Sequence, residues 1–240
     1  MVTIKEIRER CKKEYWSSLH RLTHEVGFYF TKPLINTRIT SNQVTMFWLF
    51  LGLVGGVMLS VGKYKWMLMG IIIFHFGIFF DSVDGNLARY RNKHTLKGQY
   101  MEQISHHITI TAILSGLTIG TFRMTHNILS LYLGGVMVGA FIFAKLFNLN
   151  LISYKPELRD RVAGIMTQLN PRKRGKLTIF VFSFVRIEHP LNLLFFTILI
   201  NQPLIGLASY AVLHTVEMIM KLATTLKMLQ KADDEGIMQK

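Results

Sequence analysis

Polar and apolar positions alternate along this chain on two scales. Near the N-terminus the alternation is fast. Ile4, Ile7, Cys11, Tyr15, Leu19, Leu22 and Val26 recur every three or four residues, with Lys5, Arg8, Arg10, Lys12, Lys13 and Arg21 between them. That spacing predicts one amphipathic helix over Ile4–Val26, suited to lying on an anionic membrane face; packing on a partner is the alternative. Further on, the alternation is slow. Apolar runs occupy Val44–Val61, Trp66–Phe80, Ile108–Thr121, Ile128–Leu151, Leu177–Gln202 and Leu204–Leu226. A helix needs about 20 residues to cross a bilayer. The second and third runs reach that length only if the polar stretch between them extends both helices. The pattern predicts an all-α integral membrane protein, six transmembrane helices preceded by an N-terminal interfacial amphipathic helix. We read it as a single domain over 1–240, with an interfacial segment 1–42 and a six-helix bundle 43–230.

Local signals refine the boundaries. Pro33 and Asn36 predict a turn, and Ser41 or Asn42 is placed to cap the next helix. The fifth run is interrupted by Arg186, Glu188, His189 and Pro190. One long helix kinked near Pro190 fits best, because a span starting after the proline would be too short.

Charge sets the orientation. The chain has 240 residues, is 50% hydrophobic and carries a formal net charge of +14, with a mean hydropathy of +0.30. Eight Lys and Arg precede the first span, four lie in Arg89–Lys97 and seven in Tyr154–Lys176. The opposite loops hold only Lys63, Lys65 and Arg123. Positive residues stay cytoplasmic, so both termini and the Asp81–His106 stretch are expected on that side. With the charge absorbed by topology, a nucleic-acid partner is not expected. The basic run Arg172, Lys173, Arg174 and Lys176 reads as a contact for lipid headgroups. The single cysteine, Cys11, excludes an internal disulfide. There is no H-E-x-x-H, which argues against zinc proteolysis.

The chemistry concentrates in Asp81–His106. Asp81 and Asp84 are three apart, with Gly85 and Ala88 beside them, and Gly98, Glu102 and His106 follow at intervals of four. On two helices joined by Tyr90–Lys97, each set shares a face. Together they would put three carboxylates and an imidazole around one space, with little side chain at Gly85, Ala88 and Gly98. Like charges crowd in this way only around a cation or a shared proton. Oxygen-rich clusters favour hard divalent ions such as Mg²⁺.

These residues resemble the signature of the CDP-alcohol phosphatidyltransferase family, D-x2-D-G-x2-A-R-x8-G-x3-D-x3-D. Asp81, Asp84, Gly85, Ala88, Arg89 and Gly98 match it at the right spacing, which is six of eight fixed positions. Glu102 stands at the third Asp and His106 at the fourth. Arg38–Thr45 is similar to the stretch that precedes the family's first span, with Ser41 in place of its usual proline.

The resemblance implies a displacement at phosphorus. A substituted phosphate would pass from a CDP-alcohol, such as CDP-diacylglycerol, to an acceptor hydroxyl, and CMP would leave. Asp81, Asp84, Glu102 and His106 would hold a divalent metal, Mg²⁺ or Mn²⁺, as two ions. Asn42, Thr45, Gly85, Ala88, Arg89 and Gly98 would bind the nucleotide. His106 would take the hydroxyl proton, since an imidazole of unperturbed pKa about 6.5 serves as a base at neutral pH. Lys145, inside the fourth run, either snorkels to the surface or faces anionic substrate. The resemblance also implies a homodimer among membrane lipids. A catalytically impaired scaffold is the alternative, because both departures fall on chemistry. A transporter is weaker, because the ionisable groups collect at one end of the spans.

Overall fold

The computed structural model describes residues 2–12, 18–93, 95–154 and 192–234. Every regular element among them is a helix: α1 (Ile4–Arg10), α2 (Ser18–Leu34), α3 (Ser41–Ser60), α4 (Tyr64–Tyr90), α5 (Leu96–Thr125), α6 (Leu129–Tyr154), α7 (Leu193–Leu199) and α8 (Pro203–Asp234). Five of them, α3, α4, α5, α6 and α8, are long and apolar enough to cross a membrane. The polar stretch does extend the second and third apolar runs, since α4 and α5 carry it on their adjoining ends.

The run expected to supply the remaining span, Leu177–Gln202, lies outside the described residues as far as 191, as do Arg172–Lys176, Arg186 and Glu188. Where it becomes described, it departs from the long kinked helix. Asn192 is extended and caps the seven-residue α7 through a bond from the Phe195 amide. Helix is therefore not continuous through Asn192, and α7 alone is too short to cross.

The N-terminal expectation is also corrected. The helix placed over Ile4–Val26 is two helices, and Cys11 ends the first. On one straight helix Arg8 and Glu25 would be about 26 Å apart at 1.5 Å per residue. Here they form an ion pair, so α1 folds back along α2. Ile7 and Cys11 are buried with Phe28 rather than turned to lipid. Leu22, expected on the apolar stripe, points outward. The fold-back also grips the end of α4. The Cys11 thiol donates to the Asn86 carbonyl (3.2 Å), and the Tyr90 hydroxyl donates to Glu6 (2.8 Å).

Two boundaries shift by a few residues. Pro33 lies in the last turn of α2, so the turn begins at Ile35. Thr40, not Ser41 or Asn42, caps α3. Its hydroxyl accepts from the Gln43 amide while the Gln43 side chain accepts from the Thr40 amide, a reciprocal capping box.

The long helices pack through one core. Ile71 and Phe74 of α4, Ile113 and Leu117 of α5, Phe141 of α6 and Leu207 of α8 are all buried in it. The α3–α5 crossing is tighter than ordinary side chains allow. A Cβ on Gly116 would strike the carbonyl of Gly56, so the backbones themselves meet there. This close seam holds the middle of α5 against α3.

Candidate active site

The motif-bearing ends of α4 and α5 meet. Asp81 of α4 and His106 of α5 are in direct contact, Oδ1 to Nε2 at 2.9 Å. Glu102 joins them from one turn earlier on α5. One ligand atom from each of the three lies within 4.8 Å of the others. Ligands at about 2.1 Å from one octahedral ion are about 3.0 Å apart in cis and about 4.2 Å in trans. The Asp81–His106 spacing matches a cis pair, and the whole set needs only a small side-chain contraction. Two carboxylates and an imidazole, partly open to solvent, fit a hard or borderline divalent cation.

Asp84 is handled differently. It is almost fully buried, and its Oδ2 accepts from the Thr45 hydroxyl (2.6 Å) and from the Trp48 indole N–H (3.1 Å). Both donors come from one face of α3. Trp48 also packs its ring on His106, with 4.8 Å between centroids. This residue therefore joins Asp84 to the imidazole on the neighbouring helix. The sequence reading missed it. The available signal was a Trp three residues after Thr45, on the same helical face, with an N–H that needs a partner once buried.

A cavity opens beside the carboxylates. From α3 it is lined by Ser41, Asn42 and Thr45, and from α4 by Asp84, Gly85 and Ala88. Gly98 and Glu102 of α5 close it, with Lys93 and Thr95 at its edge. Six of the residues expected near nucleotide or metal thus share one space with Glu102. Gly98 is small for a visible reason. A Cβ there would sit 3.1 Å from the Asn42 Oδ1, so the glycine lets the first turns of α3 and α5 approach.

Arg89 lies apart from that lining. Its guanidinium crosses over Gly85, 3.2 Å from where a Cβ would stand, and donates to the Asn86 Oδ1 (2.8 Å). The space left by Gly85 is occupied by this side chain. Burial also raises the Cys11 thiol above its usual pKa, with nearby Arg89 opposing the shift, which keeps it a neutral donor to Asn86.

A second polar group lies between α6 and α8. Glu217 meets Lys221 at 2.6 Å and His214 at 3.4 Å. Lys145 lies over the Phe141 ring at 5.2 Å, and Phe141 also faces His107 and His214. Lys145 is thus packed against an aromatic ring near the bundle interior.

Residues 38–229 match the family described as CDP-alcohol phosphatidyltransferase. No curated protein is a significant match to the chain.

Proposed function

The chain belongs to the CDP-alcohol phosphatidyltransferase family, and we propose that it transfers a substituted phosphate from a CDP-alcohol to an acceptor hydroxyl, releasing CMP, in polar-lipid synthesis. The family provides the CDP-alcohol donor, lipid substrates and dependence on a divalent metal. The observation that carries the reading is the convergence of Asp81, Glu102 and His106 beside a cavity rimmed by Asn42, Thr45, Gly85, Ala88 and Gly98.

Asp81, Asp84 and Glu102 would hold the metal, which is Mg²⁺ or Mn²⁺ as two ions; His106 is either a further ligand or the base. When bound, such ions neutralise a diphosphate and stabilise its attacking and leaving oxygens. The remaining chemistry falls to the chain. Thr45 and Trp48 fix the Asp84 carboxylate, so one oxygen is held while the group faces the cavity. Asn42 and Thr45 bracket the nucleotide from α3. Ala88 and Gly98 leave the α4 and α5 backbones open to it, and Arg89, seated over Gly85, steadies this end of α4 through Asn86. The 2.9 Å contact with Asp81 would orient the His106 ring, and the imidazole would accept the proton of the attacking hydroxyl. Asp81 then stabilises the imidazolium, as a carboxylate does in a catalytic dyad.

The reaction belongs on the cytoplasmic face, where Lys and Arg flank the motif, with both termini on the same side. The functional unit under this reading is a homodimer. The test is CMP release by purified protein given CDP-diacylglycerol with soluble hydroxyl acceptors, or soluble CDP-alcohols with diacylglycerol. Release in one arm identifies the lipid as donor or as acceptor. A rival reading, a catalytically silent scaffold, draws on the Glu and His at positions 102 and 106. It predicts no release with any donor, and that result would replace the enzymatic reading.

A further inference from the structure

The link between α2 and α3, residues 35–40, has no regular structure of its own. The end of α2 and this link expose carbonyls that need donors. Arg91, where α4 ends, supplies them. Its Nη2 donates to the carbonyls of Leu34 (2.7 Å), Ile35 (3.0 Å) and Thr37 (2.8 Å), and its Nη1 donates to that of Ile39. One guanidinium therefore gathers four carbonyls from six consecutive residues. Its charge also complements the negative end of the α2 dipole.

The location gives this contact its consequence. Arg91 follows Asp84 by seven residues and Ala88 by three, on the same face of α4. The link it holds runs directly into Thr40, the cap of α3, and then into Ser41, Asn42 and Thr45. Those residues form one wall of the site cavity, and Asp84, Gly85 and Ala88 form the opposite wall. A second cavity of about 390 Å³ is lined by Arg91 and by Thr37 and Thr40 of the link, and it shares Ser41, Ala88 and Lys93 with the first. The two spaces adjoin at Ser41 of α3 and Ala88 of α4, beside the carbonyls that Arg91 holds.

We infer that Arg91 is a positioning residue. It fixes how far the first turn of α3 stands from the last turns of α4, and so the width of the cleft offered to the nucleotide. The inference rests on the reading that this cleft takes a CDP group. Arg91 acts through backbone carbonyls and does not touch the reacting atoms. Lysine cannot substitute for it, because a single ammonium does not present a planar fork to acceptors spread along six residues.

The test uses CDP with Mn²⁺ as the probe and the full-length protein in detergent, comparing wild type with Arg91→Lys and Arg91→Gln. Amide exchange over 35–43 is expected to quicken about tenfold in both variants, and CDP affinity to fall about tenfold, equivalent to the loss of about 1.4 kcal/mol of binding. In the CMP-release assay KM should rise while kcat at saturating donor stays within about twofold, the signature of lost uniform binding. A global collapse would instead lower kcat and quicken exchange throughout. If Arg91→Gln fails to fold, the comparison is read on Arg91→Lys, which keeps the charge. Unchanged exchange over 35–43, or CDP affinity within twofold of wild type, overturns the inference. Failure of wild type itself to bind CDP defeats the nucleotide reading and with it the proposed consequence, while the exchange arm still decides whether Arg91 orders the link.

Discussion

His106 and Asp81 meet across two helices, imidazole Nε2 to carboxylate Oδ1 at 2.9 Å. They stand 25 residues apart in the sequence, and the contact exists because α4 and α5 both pack on α3. As the base, His106 should be replaceable by Asp but not by Ala. His106→Ala is expected to lower kcat by ~10²–10⁴, the usual worth of a positioned base, with His106→Asp recovering most of it. Turnover of His106→Ala within a few-fold of wild type would remove the residue from the chemistry.

The metal reading has its own measurement. Manganese EPR on the unliganded protein should show bound ion in wild type and weaker binding in Glu102→Gln, which keeps the shape and removes the charge. Glu102→Asp restores the charge on a shorter arm and should bind between the two. Chelation should stop CMP release, and Mg²⁺ or Mn²⁺ should restore it.

Trp48 makes two contacts that can be separated. Trp48→Phe keeps a ring against His106 but removes the indole donor from the buried Asp84 carboxylate. Losing one donor to a buried carboxyl oxygen is expected to cost about 1–3 kcal/mol in unfolding free energy. Trp48→Leu removes the ring as well and should lower stability further. Equal stability of wild type and Trp48→Phe in detergent denaturation would show that Thr45 alone satisfies Asp84.

Gly116 and Gly135 form a matched pair. A Cβ on Gly116 collides with the Gly56 carbonyl, while one on Gly135 meets nothing within 4 Å. Gly116→Ala must push α3 from α5 and is expected to destabilise by about 1–3 kcal/mol. Gly135→Ala removes a helix-interior glycine and should stabilise by roughly 0.5–1 kcal/mol. Thermal unfolding of the two variants against wild type checks both signs.

Cys11 gives a pH limb. Its thiol pKa is raised by burial above the ordinary value of 9.0. The folded state therefore holds the proton more tightly than the unfolded state. This contribution is complete below the unfolded pKa and is lost as pH rises from there through the folded pKa. Subtracting the stability–pH curve of Cys11→Ala should isolate a decline that begins near pH 9. Maleimide labelling at lower pH should be slow until the chain is unfolded. Rapid labelling of folded protein would contradict the burial beneath Phe28.

Some of the architecture is local and was legible early. The apolar runs of α3, α6 and α8 announce themselves by length, while those of α4 and α5 need the polar stretch between them to extend both helices. The interval from Asp81 to Ala88, and from Gly98 to His106, fixes which side chains share a face. The family signature rests on the same intervals. Caps are less legible, because Thr40, Ser41 and Asn42 are all competent, and only the reciprocal bond with Gln43 selects Thr40.

What the sequence determined alone is the five long apolar helices among the described residues and the faces on which the acids, small residues and histidine stand, because helical periodicity depends only on neighbours within one element. The tertiary structure decided which of those faces meet. It turned α1 back along α2, placed Arg89 over Gly85 instead of in the cavity lining, bridged Asp84 to His106 through Trp48, and gave Arg91 four carbonyls to hold. Each depends on helix crossings and backbone approach between distant segments, and residue spacing within a helix carries no record of those distances.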